Sequence, residues 1–343
     1  MQYYDNISDG KKIWKGFKQI IHFKPTTSLS LIKTVDNNKE FSDPKHISDA
    51  FNNYFANVGN KLKNEIPIVN KRPQEYLRLP QSNSFFISPT TTTEIENIIT
   101  SLKSGKAVGP FSIPIDILKP LKSVISKPLE ILFNTSFSTG TVPTDFKLAN
   151  IIPVYKKGSR TCLSNYRPIS LLSVFNKLLE RLMYNRLIKY LVNSNIFYNK
   201  QFGFRTRHST DHAILCIIDK IQKAIEKRNI SCVIFLDFSK AFDTVNHNIL
   251  RKKLEHYGIR GIAKEWFISY LSNRRQVVTV NSVTSTQCNV TCGVPQGSVL
   301  GPLLFLIYIN DFQNSSSLFD FHLFADDSNL FCEHKLFLNL KNP

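Results

Sequence analysis

Two adjacent acids set between apolar residues restrict this chain more than any other feature. Phe324-Ala325-Asp326-Asp327 follows Phe321 and Leu323 and precedes Leu330 and Phe331. Unpaired carboxylates lose their hydration when buried, so these acids need either solvent or a cation. The alternation of apolar run, acid turn and apolar run predicts a tight β-hairpin with the acids at its tip. Upstream, Cys232-Val233-Ile234-Phe235-Leu236-Asp237 predicts a buried strand that delivers a third carboxylate. Three acids from two strands can hold two hard, oxygen-seeking divalent ions. Two such ions can clamp the attacking and leaving oxygens of an in-line phosphoryl transfer. An Asp-Asp pair is more commonly a solvated turn, so the surrounding motifs have to decide.

The chain has 343 residues, enough for two or three subdomains around a sizeable core. Hydrophobic residues make up 42% and there are 26 Phe, a composition of folded proteins. Lys and Arg number 44 against 26 Asp and Glu, a net charge of +18. That excess predicts a polyanionic partner, nucleic acid ahead of an acidic membrane surface. Met1 to Trp14 lacks the apolar core of a signal peptide. The longest apolar stretch, Val299 to Ile309, contains Gly301 and Pro302 and is too short to span a bilayer. The six cysteines include no CxxC and no Cys/His cluster. They are expected to be reduced core thiols of an intracellular protein, nuclear or cytoplasmic, and not a zinc site or a disulfide framework.

Residues 1 to about 40 are polar and basic and are expected to be a linker. Asp43-Pro44 opens a helix through Ile47, Phe51, Tyr54, Phe55 and Val58 that is expected to end near Gly59. Residues 63–90 are expected to be a loop. Thr91-x-x-Glu94 is a capping box for a short helix closed by Gly105. Ala149 to Tyr155 predicts a strand, with Lys156-Lys157-Gly158 as the turn after it. The pattern from Pro168 to about Val192 predicts a helix, and further helices are expected at 212–227, 248–257, 263–271 and 301–310. Residues 276–283 and 287–292 alternate and predict a hairpin. Helices and mostly antiparallel strands without strict βαβ alternation indicate an α+β fold.

Three segments then appear in order: Val233-Ile-Phe-Leu-Asp-Phe-Ser-Lys-Ala-Phe-Asp-Thr-Val245, Gly293-Val-Pro-Gln-Gly-Ser-Val-Leu-Gly-Pro302 and Phe324-Ala-Asp-Asp327. Together they resemble the palm of reverse transcriptases. Ile152 to Gly158 with Asn165 to Leu172 is similar to the fingers region, and Gln201-Phe-Gly-Phe-Arg205 with Ser209-Thr210 to the block after it. The wording resembles enzymes of non-LTR, LINE-like retrotransposons over residues 95–332, and more weakly over 40–95.

The resemblance implies a right-hand polymerase with fingers at about 91–228 and a partial palm at about 229–343. Residues 1–90 would be a linker and extension following a missing endonuclease domain. It implies RNA-directed DNA polymerisation, with RNA template, DNA primer and dNTPs as partners, an RNA–protein particle as a setting, and no membrane. Asp237, Asp326 and Asp327 would be catalytic and would hold two Mg²⁺ ions, with Mn²⁺ as a substitute. Phe242 would be the steric gate against a 2′-OH, although its residue type fits a plain core aromatic equally well. Gln296 and Gly297 would line the incoming nucleotide. Lys157 and Arg167 would reach the triphosphate. Arg205 and Arg207 would contact template or primer backbone. Asp243 reads as structural or as a helix cap.

Only sixteen residues follow Asp327, whereas the family carries more palm and a thumb beyond this hairpin. The expectation is therefore a truncated chain whose polymerase activity is impaired. The alternative is a catalytically inactive nucleic-acid-binding remnant. An RNA-directed RNA polymerase is disfavoured by Ala325 before the acid pair and by the bulky Phe242.

Overall fold

The computed structural model describes residues 41–67, 70–105, 109–110 and 113–335. The expected linker at 1–40 lies outside them, as do Phe111, Ser112 and the residues after Lys335. Helix α1 (Pro44–Glu65) begins as expected: the Asp43 carboxylate accepts from the Lys45 and His46 N–H groups. It does not stop at Gly59. A Cβ on Gly59 would collide with the Asp243 carbonyl oxygen, so this glycine serves close packing inside the helix. Helices α2 (Thr92–Ser101), α3 (Ile115–Leu118) and α4 (Lys122–Thr139) follow. Only half of the capping box forms at α2. The Thr91 side chain accepts from the Glu94 N–H, while the Glu94 carboxylate turns to the Thr90 hydroxyl and to Arg186.

Strand β1 (Leu148–Tyr155) pairs antiparallel with β2 (Tyr166–Leu171), and Pro153 stands opposite Pro168. The helix expected from Pro168 therefore starts later: α5 spans Val174–Asn193, capped by Ser173. Pro168 is tolerated because β2 is an edge strand. Helix α6 (Thr210–Glu226) leads into β3 (Asn229–Asp237), followed by α7 (His247–His256) and α8 (Gly261–Leu271). Strand β4 (Arg274–Val280) pairs antiparallel with both β5 (Val283–Thr284) and β6 (Cys288–Val290), the expected hairpin region. It also pairs parallel with β1 over Leu148–Ile151, which ends before Pro153. The apolar helix α9 (Gly301–Ile309) precedes the hairpin of β7 (Asp320–Phe324) and β8 (Asp327–Lys335).

Two sheets result, one ordered β2-β1-β4-β5 with β6 added on β4, the other β3-β8-β7. Helix α1 packs Ile47, Phe51 and Phe55 against Ile151, Tyr166 and Val278 of the first sheet. The main core gathers α2, α4, α5, α7, α8 and α9 around Phe133, Leu182, Trp266 and Leu304. A smaller core of Phe321, Leu323 and Leu330 lies beside the acidic hairpin. This is the α+β arrangement read from the sequence.

Strand β3 is not buried as expected. It is an edge strand, with Phe235 74% exposed and Ile230, Cys232 and Ile234 open to solvent. Of the six free cysteines only Cys292 is buried, which corrects the expectation of core thiols; Cys232 and Cys332 face each other across β3 and β8. Among the described residues no helix is long and apolar enough to cross a membrane.

Candidate active site

The backbone brings the three acids to one end of the second sheet. Asp237, the last residue of β3, is the register partner of Asp327, the first residue of β8. Asp326 sits on the turn between β7 and β8, after Ala325 in a left-handed conformation at φ 58°. Asp237 and Asp327 are exposed and Asp326 is half-buried. Burial pushes the Asp326 carboxyl above the ordinary aspartate range, and the charges of Asp327 and Asp237 add to that push. The Arg167 guanidinium acts in the opposite direction. So Arg167, on β2 of the other sheet, lies within electrostatic reach of Asp326.

All three side chains offer hard oxygen donors, and mutual repulsion of this kind is what a divalent cation relieves. The donor chemistry suits Mg²⁺. The carboxylates are gathered only at the level of the backbone: among the described residues no group of three or more His, Cys, Asp or Glu is close enough to hold a metal ion.

Gly293 to Pro302 is tied on several sides. Gln296 donates from Nε2 to the Asp243 carboxylate at 2.8 Å and accepts at its carbonyl from the Ser170 N–H at 2.7 Å. Gly297 has φ 114°, and a Cβ there would lie 2.7 Å from the Ser170 carbonyl oxygen. The Val299 N–H donates at 2.6 Å to Glu180, a fully buried carboxylate on α5 that also accepts from Tyr270 and Asn176. Asp243 is not a helix cap, since Asn246 caps α7. Its structural role is to hold Gln296. Burial drives its pKa up to about 6, against the lowering effects of the Gln296 hydrogen bond and the Lys240 charge.

Phe242 stacks on Phe305 at 4.6 Å between centroids and meets Phe204 edge-on at 5.9 Å, partly buried at the margin of the main core. Lys157 is exposed in the turn after β1. Arg207 is exposed at φ 64°. Arg205 is used by the fold itself: its guanidinium donates to the Tyr198 and Gln201 carbonyls and lies over Phe197. That geometry runs against its expected backbone-contact role.

Three contributors escaped the sequence reading. Lys240 donates to the Ser164 and Tyr166 carbonyls and joins the two sheets. Glu180 holds the loop, and Gln201 contacts the acidic turn. Lys240 and Gln201 lie within segments that carry the resemblance and Glu180 within an expected helix, but the partner of each is distant in sequence.

The family described as "Reverse transcriptase (RNA-dependent DNA polymerase)" matches residues 154–338, more than half of the chain. The chain belongs to the reverse transcriptase family. Its similarities place it among the reverse transcriptases of non-LTR, LINE-like retrotransposons. It is 32% identical over 245 residues to the "RNA-directed DNA polymerase from mobile element jockey" of Drosophila melanogaster, covering 70% of this chain and 26% of that protein. It is 34% identical over 242 residues to the "Probable RNA-directed DNA polymerase from transposon BS" of the same organism, covering 68% and 26%. With the "Probable RNA-directed DNA polymerase from transposon X-element" it shares 34% over 249 residues, 70% and 27%. This reverse transcriptase chain thus spans about a quarter of the length of these curated relatives.

Proposed function

We propose that this chain carries the catalytic acids of an RNA-directed DNA polymerase that extends a DNA primer on an RNA template. The observation that carries this reading is the pairing of Asp237 with Asp327 beside Asp326, three like charges at one sheet end with Arg167 in electrostatic reach. In this reading the first sheet and its helices serve as fingers and the β3-β8-β7 sheet as part of the palm.

Asp237, Asp326 and Asp327 would hold two Mg²⁺ ions, which when bound supply acidification of the primer 3′-OH and charge neutralisation on the triphosphate. The 3′-OH attacks the α-phosphate of the dNTP in line, and pyrophosphate leaves. Arg167 offers a bidentate fork to the triphosphate, and Lys157 a second positive charge from the adjoining turn. The Phe242 ring, backed by Phe305, excludes a 2′-OH from the sugar site. Gln296 and Gly297 line the nascent pair, with the Gln296 carbonyl held by the Ser170 N–H and its side-chain amide held by Asp243. The +18 charge supplies sequence-independent attraction to the template and primer backbones.

The test is primer extension on an RNA template with an annealed DNA primer, dNTPs and Mg²⁺. The parent chain should extend and an Asp326→Ala/Asp327→Ala variant should not. Equal extension by both would refute the assignment of the acids. Template binding without extension by either would support the nucleic-acid-binding reading instead.

A further inference from the structure

The Gln201-Phe-Gly-Phe-Arg205 segment is built around the acidic turn. The segment runs beside β7: Gln201 forms a parallel bridge with Leu323, the Phe202 N–H donates to the Leu323 carbonyl at 2.7 Å, and the Leu323 N–H donates to the Lys200 carbonyl at 2.9 Å. Gln201 is 3% exposed. Its Oε1 accepts two backbone N–H groups, those of Gly203 and of Ala325, each at 2.9 Å. Two donors on one oxygen fix which end of the amide faces the turn. Ala325 is buried and left-handed, a conformation that non-glycine residues hold only where the surroundings impose it. Gly203 completes the fit, since a Cβ there would run into the Ala325 nitrogen. Arg205 in turn grips the Gln201 carbonyl.

We infer that Gln201 is a positioning residue, whose side-chain oxygen fixes the Ala325 amide and so aims the adjoining Asp326 and Asp327. The inference rests on the proposed role of those acids. The tight hairpin leaves the buried Ala325 N–H dependent on this one acceptor. Without it the left-handed turn is free to relax, and the carboxylates move with it. Supporting contacts of this kind around a metal-binding acid are typically worth about 10- to 100-fold in activity.

The experiment uses the full chain and its variants Gln201→Leu, Gly203→Ala and Lys200→Met. Lys200→Met removes one of the two lysines paired with Asp320 at the other end of β7, leaving Lys220 in place, and serves as the structural control. Two quantities are read: hydrogen exchange of the peptide spanning the β7–β8 turn, and kcat with KM for dTTP on a poly(rA)–oligo(dT) primer-template. Gln201→Leu is expected to speed exchange at the turn about tenfold or more and to lower kcat about 10- to 100-fold with KM unchanged. Lys200→Met should leave both within about twofold, inside the normal scatter of surface changes. Gly203→Ala reports independently if Gln201→Leu does not fold, and should give the same loss of kcat. Unchanged turn exchange in Gln201→Leu overturns the inference. So does faster exchange with an unchanged kcat. If the parent itself does not extend, faster turn exchange in Gln201→Leu still supports Gln201 as the clamp of the turn, and it is the polymerase reading that fails.

Discussion

Replacing Asp243 by Asn should make the stability of this chain less sensitive to pH, in a direction and size set by one buried carboxyl. The ordinary aspartate value of 3.8 rises to about 6 here. The first cause is burial; the Gln296 hydrogen bond and the Lys240 charge only partly offset it. Oδ2 has no hydrogen-bond partner among the described residues, so the ionised form is poorly solvated. In the window between these two values the folded chain binds more protons at this site than the unfolded chain. Stability from this group is therefore highest below about pH 4 and is lost as pH rises through about 6. A rise of about two units corresponds to about 3 kcal/mol, fully lost by pH 7.5. Asn cannot ionise, and its Oδ1 can still accept from Gln296. Urea unfolding of parent and Asp243→Asn at pH 4, 5, 6 and 7.5 measures the difference. The variant should gain about 2.5 kcal/mol on the parent between pH 4 and pH 7.5, since a part of the effect is already lost at pH 4. A difference constant to within about 1 kcal/mol across that range, wider than the extrapolation error, would refute the reasoning.

Three other changes give separable outcomes. Glu180→Ala removes the acceptor shared by Val299, Tyr270 and Asn176 and leaves a cavity; denaturant unfolding should show a loss of about 3–5 kcal/mol. Lys253→Met strands Asp311, itself 5% exposed, and should cost about 3–5 kcal/mol, most of it recovered by adding Asp311→Leu. Phe242→Ala should lower discrimination against ribonucleotides in primer extension about tenfold or more, because about 1–3 kcal/mol of steric exclusion is at stake. It should also cost about 3–5 kcal/mol of stability from lost packing on Phe305 and Phe204.

Local chemistry was legible from the residues alone. The acid turn needed only its apolar flanks to read as a hairpin tip, and β7 and β8 meet around Ala325 and Asp326 as that pattern implies. The Asp43-Pro44 start of α1 was equally local, since a cap and the N–H groups it satisfies lie within one turn. The misread elements all depended on distant partners. Pro168 to Leu171 carries a pattern that continues smoothly into α5, and only pairing with β1 makes it a strand. Gly59 resembled a helix end until the Asp243 carbonyl stood against it. The β3 run reads as buried because periodicity records apolarity and not whether a neighbour covers it.

The sequence by itself determined the chemistry: three carboxylates, a glycine-punctuated loop, an aromatic close after Asp237, and a strong positive charge. Residue type and short spacing decide which groups can ionise and where the chain can turn. Only the tertiary structure decided how those groups are held. Gln201 reaches Ala325, Glu180 reaches Val299 and Gln296 reaches Asp243 across separations that no local period encodes. Gln201 and Glu180 are buried and Gln296 meets the buried Asp243, so each pairing is chosen by the need to satisfy an otherwise unpaired hydrogen bond, and that need arises only once the elements have packed.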